Sequence, residues 1–290
     1  MKVPAIGGNT KVCGVMGDPV AHSVSPAMHN AAFRDLGLDY VYLPFNVSAD
    51  RLAGAVEGMR ALNMVGMNVT IPHKVAVIPL LDEVAPLARQ IGAVNVIHNK
   101  GGRLTGSNTD AEGFLRLLEG HGIDPRGLRV AVLGAGGASR AVCFALASRG
   151  AHITILNRTA DKAEACAAEL AVYTGRTFES LEMNPANLAG ALAKAGLLVN
   201  TTSIGMAPGV DKSPVSRELL ERRHSVVDIV YNPLKTSLIR DAQKAGALAI
   251  GGLEMLAWQG ALAFEIWTGR VAPIDVMRRA AAGAVKSYEE

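Results

Sequence analysis

Residues 66 to 74, GMNVTIPHK, combine a short apolar run with polar side chains that a buried strand does not need. Asn68 and Thr70 are two residues apart, so on a strand they are expected to face the same side of a sheet. Lys74 follows the predicted strand at its carboxyl end, where open α/β sheets bind ligands. This lysine is either an ordinary exposed residue or the acid–base group of an active site.

A second pair of polar residues lies in the segment HSVSPAMHN. Pro26 disfavours helical backbone at the residue before it. The segment from Ser23 to Ser25 is therefore expected to be extended, with both hydroxyls on one face. Ser25 could instead be the N-cap of a helix that begins at Pro26. Two hydroxyls presented together would suit a carboxylate or a polyol.

Other polar residues near these motifs have simpler alternative interpretations. Asn95 lies in the apolar run GAVNVI, and Asp110 lies at the start of a predicted helical segment, so Asp110 could be only a helix cap. His22, His29 and His73 also lie near these motifs. They have no carboxylate or cysteine partner at the spacing of metal ligands, so a metal site is not expected.

The segment RVAVLGAGGAS predicts a phosphate-binding loop. Gly134, Gly136 and Gly137 lie between a predicted strand and a predicted helix, and the small Ser139 takes the third position of the usual glycine pattern. Glycine there allows a tight turn and lets backbone N–H groups approach a pyrophosphate. The strand–turn–helix context favours this interpretation over a glycine-rich turn without a ligand.

The end of the next predicted strand indicates which dinucleotide is bound. Enzymes that use NAD place a carboxylate there for the ribose 2′-hydroxyl. This chain has Asn157-Arg158-Thr159, with Lys162 one turn later. A guanidinium attracts a 2′-phosphate, so NADP is favoured over NAD. Arg158 could otherwise be a surface arginine, and Thr159 could be a helix N-cap.

Strand-like and helix-like segments alternate along both halves of the chain, which favours mostly parallel sheets covered by helices. The 290 residues suggest two domains. Predicted strands cover residues 11–16, 40–47, 66–71, 95–99, 103–106, 129–133, 152–156, 197–201, 225–230 and 247–250. Predicted helices cover residues 26–36, 49–62, 84–91, 108–122 and 138–149, and the last forty residues are mainly helical.

The composition excludes several classes of partner. The formal net charge is +3 without a basic run, so nucleic-acid binding is not expected. A modest positive charge would suit small anionic ligands. The three cysteines lack the spacing of a disulfide framework. We find neither a signal peptide nor an apolar stretch of about 18 residues, so we expect a cytoplasmic protein without a membrane partner.

Together these motifs resemble the shikimate dehydrogenase family. The resemblance covers nearly the whole chain and includes HSVSPAMHN, NVTIPHK, GAVN, NTD, GAGGASR, NRT, TTSIGM, VYNP and GGLEMLAWQG. It implies reversible, NADPH-dependent reduction of 3-dehydroshikimate to shikimate, on the route to chorismate and the aromatic amino acids. It also implies a small-molecule substrate, no metal, and either a monomer or a homodimer.

The fold implied by the resemblance is α/β with two domains and a cleft between them. The N-terminal domain has an open, twisted, mostly parallel α/β sheet, and the C-terminal domain is of Rossmann type and binds NADP. The last helix of the family packs back on the first domain. We therefore expect a substrate-binding and catalytic domain at residues 1–109 plus 253–290, and an NADP-binding domain at residues 110–252.

The resemblance also assigns roles to residues that match the family motifs. Lys74 becomes the acid–base group, with Asp110 as its catalytic partner. The implied substrate-binding residues are Ser23, Ser25, Asn68, Thr70, Asn95, Asp110, Tyr231 and Gln259. The implied NADP-binding residues are Gly134, Ala135, Gly136, Gly137, Ala138, Asn157, Arg158, Thr159, Ile229 and Gly252, to which we add Lys162. Ile229 departs mildly from the family, where methionine is frequent.

Three alternatives remain open at this point. A quinate/shikimate dehydrogenase with relaxed substrate or cofactor use is disfavoured by the Asn-Arg-Thr string and the serine pair. A non-catalytic NADP-binding regulator would be expected to lack Lys74 or Asp110, and both are present. An unrelated two-domain NADP enzyme, such as a folate-type dehydrogenase, would share only the glycine loop.

Overall fold

A computed structural model describes residues 6–289 of the chain and confirms the predicted α/β class. The chain divides into two compact units. The first unit ends at Gly113 and resumes at Ala257, and the second spans Phe114–Leu256. The boundaries expected from the sequence, after residues 109 and 252, lie slightly earlier in the chain.

The first unit contains a six-stranded mixed sheet. Its strands are β1 (Lys11–Gly17), β2 (Tyr40–Asn46), β3 (Gly66–Val69), β4 (Glu83–Val84), β5 (Val96–Lys100) and β6 (Arg103–Ser107), in the order β2-β1-β3-β5-β6-β4. Strands β2, β1 and β3 are parallel, whereas β5 is antiparallel to both β3 and β6. The short strand β4 is parallel to β6 at the edge.

Helices from both ends of the chain belong to this unit or border it. They are α1 (Ser25–Asp35), α2 (Leu52–Ala61), α3 (Pro86–Ile91) and α4 (Asp110–Gly120), followed near the end of the chain by α9 (Leu253–Thr268) and α10 (Ile274–Glu289). Leu52, Val56 and Met59 give α2 one buried stripe at helical spacing. This stripe joins an apolar cluster with Val69 and Ile97 of the sheet.

The second unit contains a six-stranded parallel sheet. Its strands are β7 (Arg129–Leu133), β8 (His152–Asn157), β9 (Phe178–Glu182), β10 (Leu197–Asn200), β11 (Ser225–Asp228) and β12 (Leu248–Gly251). Its helices include α5 (Gly137–Ser148), α6 (Ala160–Thr174), α7 (Pro185–Leu192) and α8 (Ser237–Lys244). The order β12-β11-β10-β7-β8-β9 is that of a Rossmann sheet, and the strand order reverses between β7 and β10.

Several predicted elements differ from the structure at their ends, and the following differences are the clearest. The strand predicted at 66–71 ends at Val69, so Thr70 lies just beyond it. The helix predicted at 84–91 begins at Pro86, because Glu83–Val84 pair with β6 instead. The helix predicted at 49–62 opens with one 3₁₀ turn, Ala49–Arg51, before α2.

A tryptophan side chain occupies the space above the glycine that begins β3. A Cβ at Gly66 would overlap the Trp267 indole. Trp267 lies on α9, and its Nε1 donates to the carbonyl of Ile97 on β5 at 3.0 Å. This contact joins α9 to two neighbouring strands and requires glycine at position 66.

No helix within residues 6–289 is both long enough and apolar enough to cross a membrane.

Replacing Gly66 with alanine is expected to lower the free energy of unfolding by about 1–3 kcal/mol, because the new methyl group must displace the indole. Thermal and urea denaturation measure this change. Gly54→Ala is the matched control, since Gly54 lies in α2 and nothing lies within 4 Å of its Cβ position. The control is expected to leave stability unchanged or raise it by up to about 1 kcal/mol. Equal effects of the two substitutions would contradict the packing argument.

Candidate active site

Lys74 forms a buried ion pair with Asp110. Its Nζ donates to Asp110 Oδ2 at 2.5 Å, and the two side chains are 13% and 5% exposed. The backbone of Lys74 is also held, because its carbonyl accepts from the N–H of Val94 at 2.8 Å. The interpretation of Lys74 as an ordinary exposed lysine is therefore wrong.

Asp110 is the first residue of α4, but it does not cap the helix. Asn108 Oδ1 accepts from the backbone N–H groups of Asp110 at 3.0 Å and Ala111 at 3.3 Å. Asn108 is held in turn, because its Nδ2 donates to the carbonyl of Ala93 at 2.9 Å. With the capping role taken by Asn108, the carboxylate of Asp110 is directed to Lys74.

Asn95 connects Asp110 to α9. Its Nδ2 lies within hydrogen-bonding distance of Asp110 Oδ1 (2.9 Å), Thr109 Oγ1 (2.9 Å) and Gln259 Oε1 (3.2 Å). Its Oδ1 accepts from the N–H of Thr109 at 2.8 Å. Thr109 Oγ1 also donates to the carbonyl of Gln259 at 3.0 Å. Asn95 therefore orients the carboxylate that Lys74 contacts. Thr109, which sequence reasoning missed, shares this task.

Asn68 lies beside Asn95 and completes what we call the polar cluster: Asn68, Lys74, Asn95, Asp110 and Gln259. Asn68 Nδ2 donates to the carbonyl of Asn95 at 3.1 Å, and its Oδ1 accepts from the Tyr42 hydroxyl at 2.7 Å. The side chains of Asn68 and Asn95 are almost completely buried. The structure thus brings together five of the residues that the sequence suggested.

Thr70 is positioned by close packing against β1. A Cβ at Gly17 would overlap the Thr70 methyl group, so glycine at position 17 leaves room for it. The N–H of Thr70 donates to the carbonyl of Met16 at 2.9 Å. Thr70 is half-buried. Its placement therefore depends on β1 as well as on its own segment.

The expected geometry of the serine pair is wrong. Val24 has φ −89° and ψ −2°, so the segment is not extended, and α1 begins at Ser25 rather than at Pro26. Ser23 Oγ accepts from the N–H of Ser25 at 3.3 Å, whereas Ser25 makes no side-chain cap. The Ser23 hydroxyl, for which the sequence suggested no structural role, therefore stabilises the local turn. The i, i+2 argument for a shared face therefore does not apply.

Two of the neighbouring histidines have structural positions. His73 is buried and donates through Nε2 to the carbonyl of Val47 at 2.6 Å, which ties the segment before Lys74 to the end of β2. His29 is fully buried, and burial lowers its pKa from 6.5 to about 3, so its imidazole is neutral. Within the residues the structure describes, no group of three or more metal-ligating side chains is assembled.

The glycine loop of the second unit lies at the strand-order reversal between β7 and β10. Gly134 has φ +110°, and a Cβ there would lie 2.6 Å from Thr201 Oγ1, which follows β10. Ser139 Oγ donates to the carbonyl of Gly134 at 2.6 Å and closes the loop. Nothing lies within 4 Å of a Cβ position at Gly136, which precedes α5, and no side chain caps this helix.

These observations fit a dinucleotide pyrophosphate. The open space at Gly136 and the uncapped N–H groups of α5 form an anion site of the kind found in nucleotide-binding folds. Ala135 lies in the loop, Gly137 and Ala138 are the first residues of α5, and all three are half-buried.

The end of β8 presents an exposed positive surface. Arg158, Thr159 and Lys162 are exposed, and Asn157 Nδ2 donates to the carbonyl of Thr159 at 2.9 Å, which holds the turn. Thr159 occupies the N-cap position of α6, but its side chain makes no cap hydrogen bond. Arg158 and Lys162 give this turn two cations beside one carboxylate, Asp161 in the first turn of α6, and a guanidinium there fits a phosphate on the adenosine ribose.

A buried carboxylate at the end of β11 organises two neighbouring loops, which sequence reasoning missed. Asp228 is fully buried. Its Oδ1 accepts from Asn200 Nδ2 (2.9 Å) and from the N–H of Val230 (3.1 Å), and its Oδ2 accepts from Thr236 Oγ1 (2.6 Å). Asn200 ends β10, and its Oδ1 accepts from both the N–H and the hydroxyl of Thr202.

The candidate residues Ile229 and Tyr231 lie in the segment that Asp228 anchors. Gly252 lies next to this segment, since a Cβ at Gly252 would overlap the backbone of Ile229. Glycine at 252 therefore has a packing reason independent of a ligand. Tyr231 belongs to the second unit, unlike the other residues expected to bind substrate.

Burial raises the pKa of Asp228 from 3.8 to about 6, against the opposing effect of its three hydrogen bonds. The carboxyl is therefore easier to protonate in the folded state than in the unfolded state. Its contribution to stability is fully present below pH 3.8 and is lost as the pH rises through about 6. The loss is on the order of 3 kcal/mol.

Asp228→Asn is expected to remove this pH dependence. An amide nitrogen in place of Oδ2 can donate to Thr236 Oγ1, because a hydroxyl accepts as well as donates. The stability of the variant relative to wild type should rise between pH 4 and pH 7, by roughly 2–3 kcal/mol. Urea denaturation of both proteins across this range measures the difference. Parallel pH profiles would contradict the assignment.

Comparisons with known proteins agree over nearly the whole chain. The shikimate dehydrogenase substrate binding domain matches residues 15–97. The shikimate / quinate 5-dehydrogenase family matches residues 121–233, and the shikimate 5′-dehydrogenase C-terminal domain matches residues 252–282. A curated shikimate dehydrogenase (NADP(+)) from Methanopyrus kandleri is 50% identical over 279 residues, which are 95% of this chain and 96% of the relative.

Solved structures give the same result. A crystal structure of a shikimate dehydrogenase in complex with NADP+ has a TM-score of 0.89 and 42% identity, covering 97% of this chain and 98% of that one. The shikimate 5-dehydrogenase of Thermus thermophilus, in complex with NADP(H) and shikimate, has a TM-score of 0.84 and 42% identity. The match covers 94% of this chain and 99% of that one.

Proposed function

The chain belongs to the shikimate dehydrogenase family, and we propose that it catalyses the reversible NADPH-dependent reduction of 3-dehydroshikimate to shikimate. This reaction lies on the route to chorismate and the aromatic amino acids. The observation that supports it best is the buried ion pair between Lys74 and Asp110. A buried lysine held by a carboxylate is suited to proton transfer.

We assign substrate binding and proton transfer to the first unit and NADP binding to the second. The match of residues 15–97 to a substrate binding domain supports the first assignment. The Rossmann strand order and the glycine loop support the second. The proposed boundaries follow the two compact units rather than residues 109 and 252.

The second unit would hold NADP through three sets of residues. The pyrophosphate would bind at Gly134, Ala135, Gly136, Gly137 and Ala138. The adenosine ribose with its 2′-phosphate would bind at Asn157, Arg158, Thr159 and Lys162. The nicotinamide would lie near Ile229 and Gly252. When bound, NADPH supplies the hydride that is transferred to the C3 carbonyl carbon of the substrate.

The first unit would bind the substrate through its hydroxyl and carboxylate groups. Ser23 and Ser25 would receive the carboxylate. Asn68, Thr70, Asn95, Gln259 and, from the second unit, Tyr231 would contact the rest of the ring. Because Asn95 already donates to protein acceptors, its main contribution in this scheme is to orient Asp110 and Gln259.

Lys74 would supply the proton. Its ammonium has three N–H groups, and the hydrogen bond to Asp110 uses one of them. Another can stabilise the C3 oxygen as negative charge develops and then donate its proton. In the oxidation direction neutral Lys74 accepts the proton. Asp110, oriented by Asn95, keeps Nζ in position throughout.

Lys74→Ala is expected to lower kcat about a hundredfold or more, because a general acid contributes at least that factor, while KM for shikimate changes less. The measurement is nicotinamide absorbance with purified protein, using shikimate or quinate with NADP or NAD. Lys100→Ala, an exposed lysine at the end of β5, is the control and should retain wild-type rates.

Each outcome of this assay has a distinct meaning. Turnover mainly with shikimate and NADP, lost in Lys74→Ala, supports the proposal. A higher KM with unchanged kcat would remove Lys74 from proton transfer. Quinate or NAD used equally well would identify a quinate/shikimate dehydrogenase with relaxed preference. No turnover with any pair would favour a non-catalytic NADP-binding regulator.

Arg158→Ala is expected to weaken NADP binding about tenfold or more, through loss of charge-assisted hydrogen bonds to the 2′-phosphate. NAD binding should change little, because NAD lacks that phosphate. Quenching of protein fluorescence on titration measures both affinities. Arg129→Ala is the matched control, since Arg129 is also exposed but begins β7, at the opposite end of the strand from the glycine loop. Equal losses for NADP and NAD would refute the assignment.

A further inference from the structure

We propose that Tyr42 is a positioning residue that orients Asn68, so that one amide N–H of Asn68 is left for the substrate. This inference rests on the proposed function, and it concerns a residue on β2 that none of the sequence motifs singled out. Tyr42 is 1% exposed. It would act on the substrate through Asn68 rather than by contact.

The two hydrogen bonds of Asn68 determine which end of its amide is nitrogen. The carbonyl of Asn95 can only accept, so the atom of Asn68 facing it, at 3.1 Å, must be Nδ2. The Tyr42 hydroxyl then donates to Oδ1 at 2.7 Å. The oxygen and one N–H are thereby used. Within the part of the chain the structure describes, the second N–H has no hydrogen-bond acceptor.

Tyr42 is itself held firmly by its surroundings. β2 is an edge strand, and Asn30 satisfies the backbone of Tyr42 on its outer side: Asn30 Nδ2 donates to the Tyr42 carbonyl at 2.9 Å, and Asn30 Oδ1 accepts from its N–H at 2.8 Å. The phenol ring stacks on His29 with 4.4 Å between centroids and 6° between planes. The Trp267 indole also packs near the phenol, with 6.0 Å between centroids and 43° between planes.

Strand register explains why the hydroxyl reaches Asn68. Cys13 on β1 pairs with Tyr42 on one side and with Gly66 on the other. Asn68 is two residues beyond Gly66, so it points to the same face of the sheet. Tyr42, Cys13 and Gly66 are thus neighbours across three strands, and the tyrosine hydroxyl reaches the Asn68 side chain on that same face.

This arrangement restricts what Asn68 can bind. Its remaining N–H donates, so the substrate atom that faces it must accept, as a hydroxyl or carbonyl oxygen does. Without the Tyr42 hydroxyl, Oδ1 would be buried without a donor, which is unfavourable. The amide would then turn toward water or toward the substrate. The expected result is weaker substrate binding with little change in the chemical step.

The first test measures the orientation of Asn68 without using activity. In protein labelled with ¹⁵N-asparagine, the side-chain amide signals of Asn68 are identified by their loss in Asn68→Ala. Tyr42→Phe is expected to shift these signals, and titration with shikimate is expected to shift them in wild type. Tyr40→Phe, the same change two residues earlier on β2, is the control and should leave them in place. Unshifted signals in Tyr42→Phe would overturn the proposal.

The second test asks whether Tyr42 acts through Asn68. Tyr42→Phe should raise KM for shikimate roughly two- to tenfold, the effect of one neutral hydrogen bond, with kcat and KM for NADP nearly unchanged. In the Asn68→Ala background the same substitution should have no further effect. Equal effects of Tyr42→Phe in both backgrounds, or a loss confined to kcat, would overturn the proposal.

The two tests separate failure of this inference from failure of the proposed function. Wild-type protein without turnover on shikimate and NADP would refute the proposed function, and the amide signals would still decide whether Tyr42 orients Asn68. Active wild type with a Tyr42→Phe variant that matches it in KM would refute the inference alone.

Discussion

The main constraint on the polar interior of the first unit is that it buries two charges, those of Lys74 and Asp110. Removing an ammonium and a carboxylate from water costs several kcal/mol for each, and their attraction offsets this only with good geometry and further hydrogen bonds. The structure supplies both: the ion pair is short, Asn95 donates to the second carboxylate oxygen, and α4 begins at Asp110. The surrounding polar residues therefore stabilise a charge pair as well as forming a binding surface.

The mixed sheet explains how residues distant in sequence reach this pair. β3 and β5 are antiparallel neighbours, with Asn68 opposite Val96, so Asn68 lies beside Asn95. Val94 holds the backbone of Lys74, and α9 brings Gln259 to Asn95. An all-parallel sheet would not place the start of β5 beside the end of β3. The hairpin of β5 and β6 is thus part of the site's construction.

Site residues could be predicted from the sequence where the signal lies in one contiguous segment. They could not be predicted where residues on other strands determine the role of a side chain. The glycine loop could be predicted because the turn, strand and helix are contiguous, and Lys74 because it follows a strand with polar residues. The serine geometry was wrong because the backbone at Val24 is helical, although Pro26 directly disfavours only Ser25. The roles of Tyr42 and Asp228 depend on register and on loops after other strands, which spacing along one chain does not reveal.

Asp110 and Asp228 are both buried carboxylates, but their different surroundings give them different roles. Asp110 is paired with an ammonium, whereas Asp228 is held only by neutral donors, and burial raises its pKa to about 6. Asp228 ends β11, two strands from β7 and its glycine loop, or about 10 Å at ordinary strand spacing. A carboxylate at the loop itself would repel a pyrophosphate. At β11 it can order the segments after β10 and β11, three strands away from the turn after β8 that carries Arg158 and Lys162.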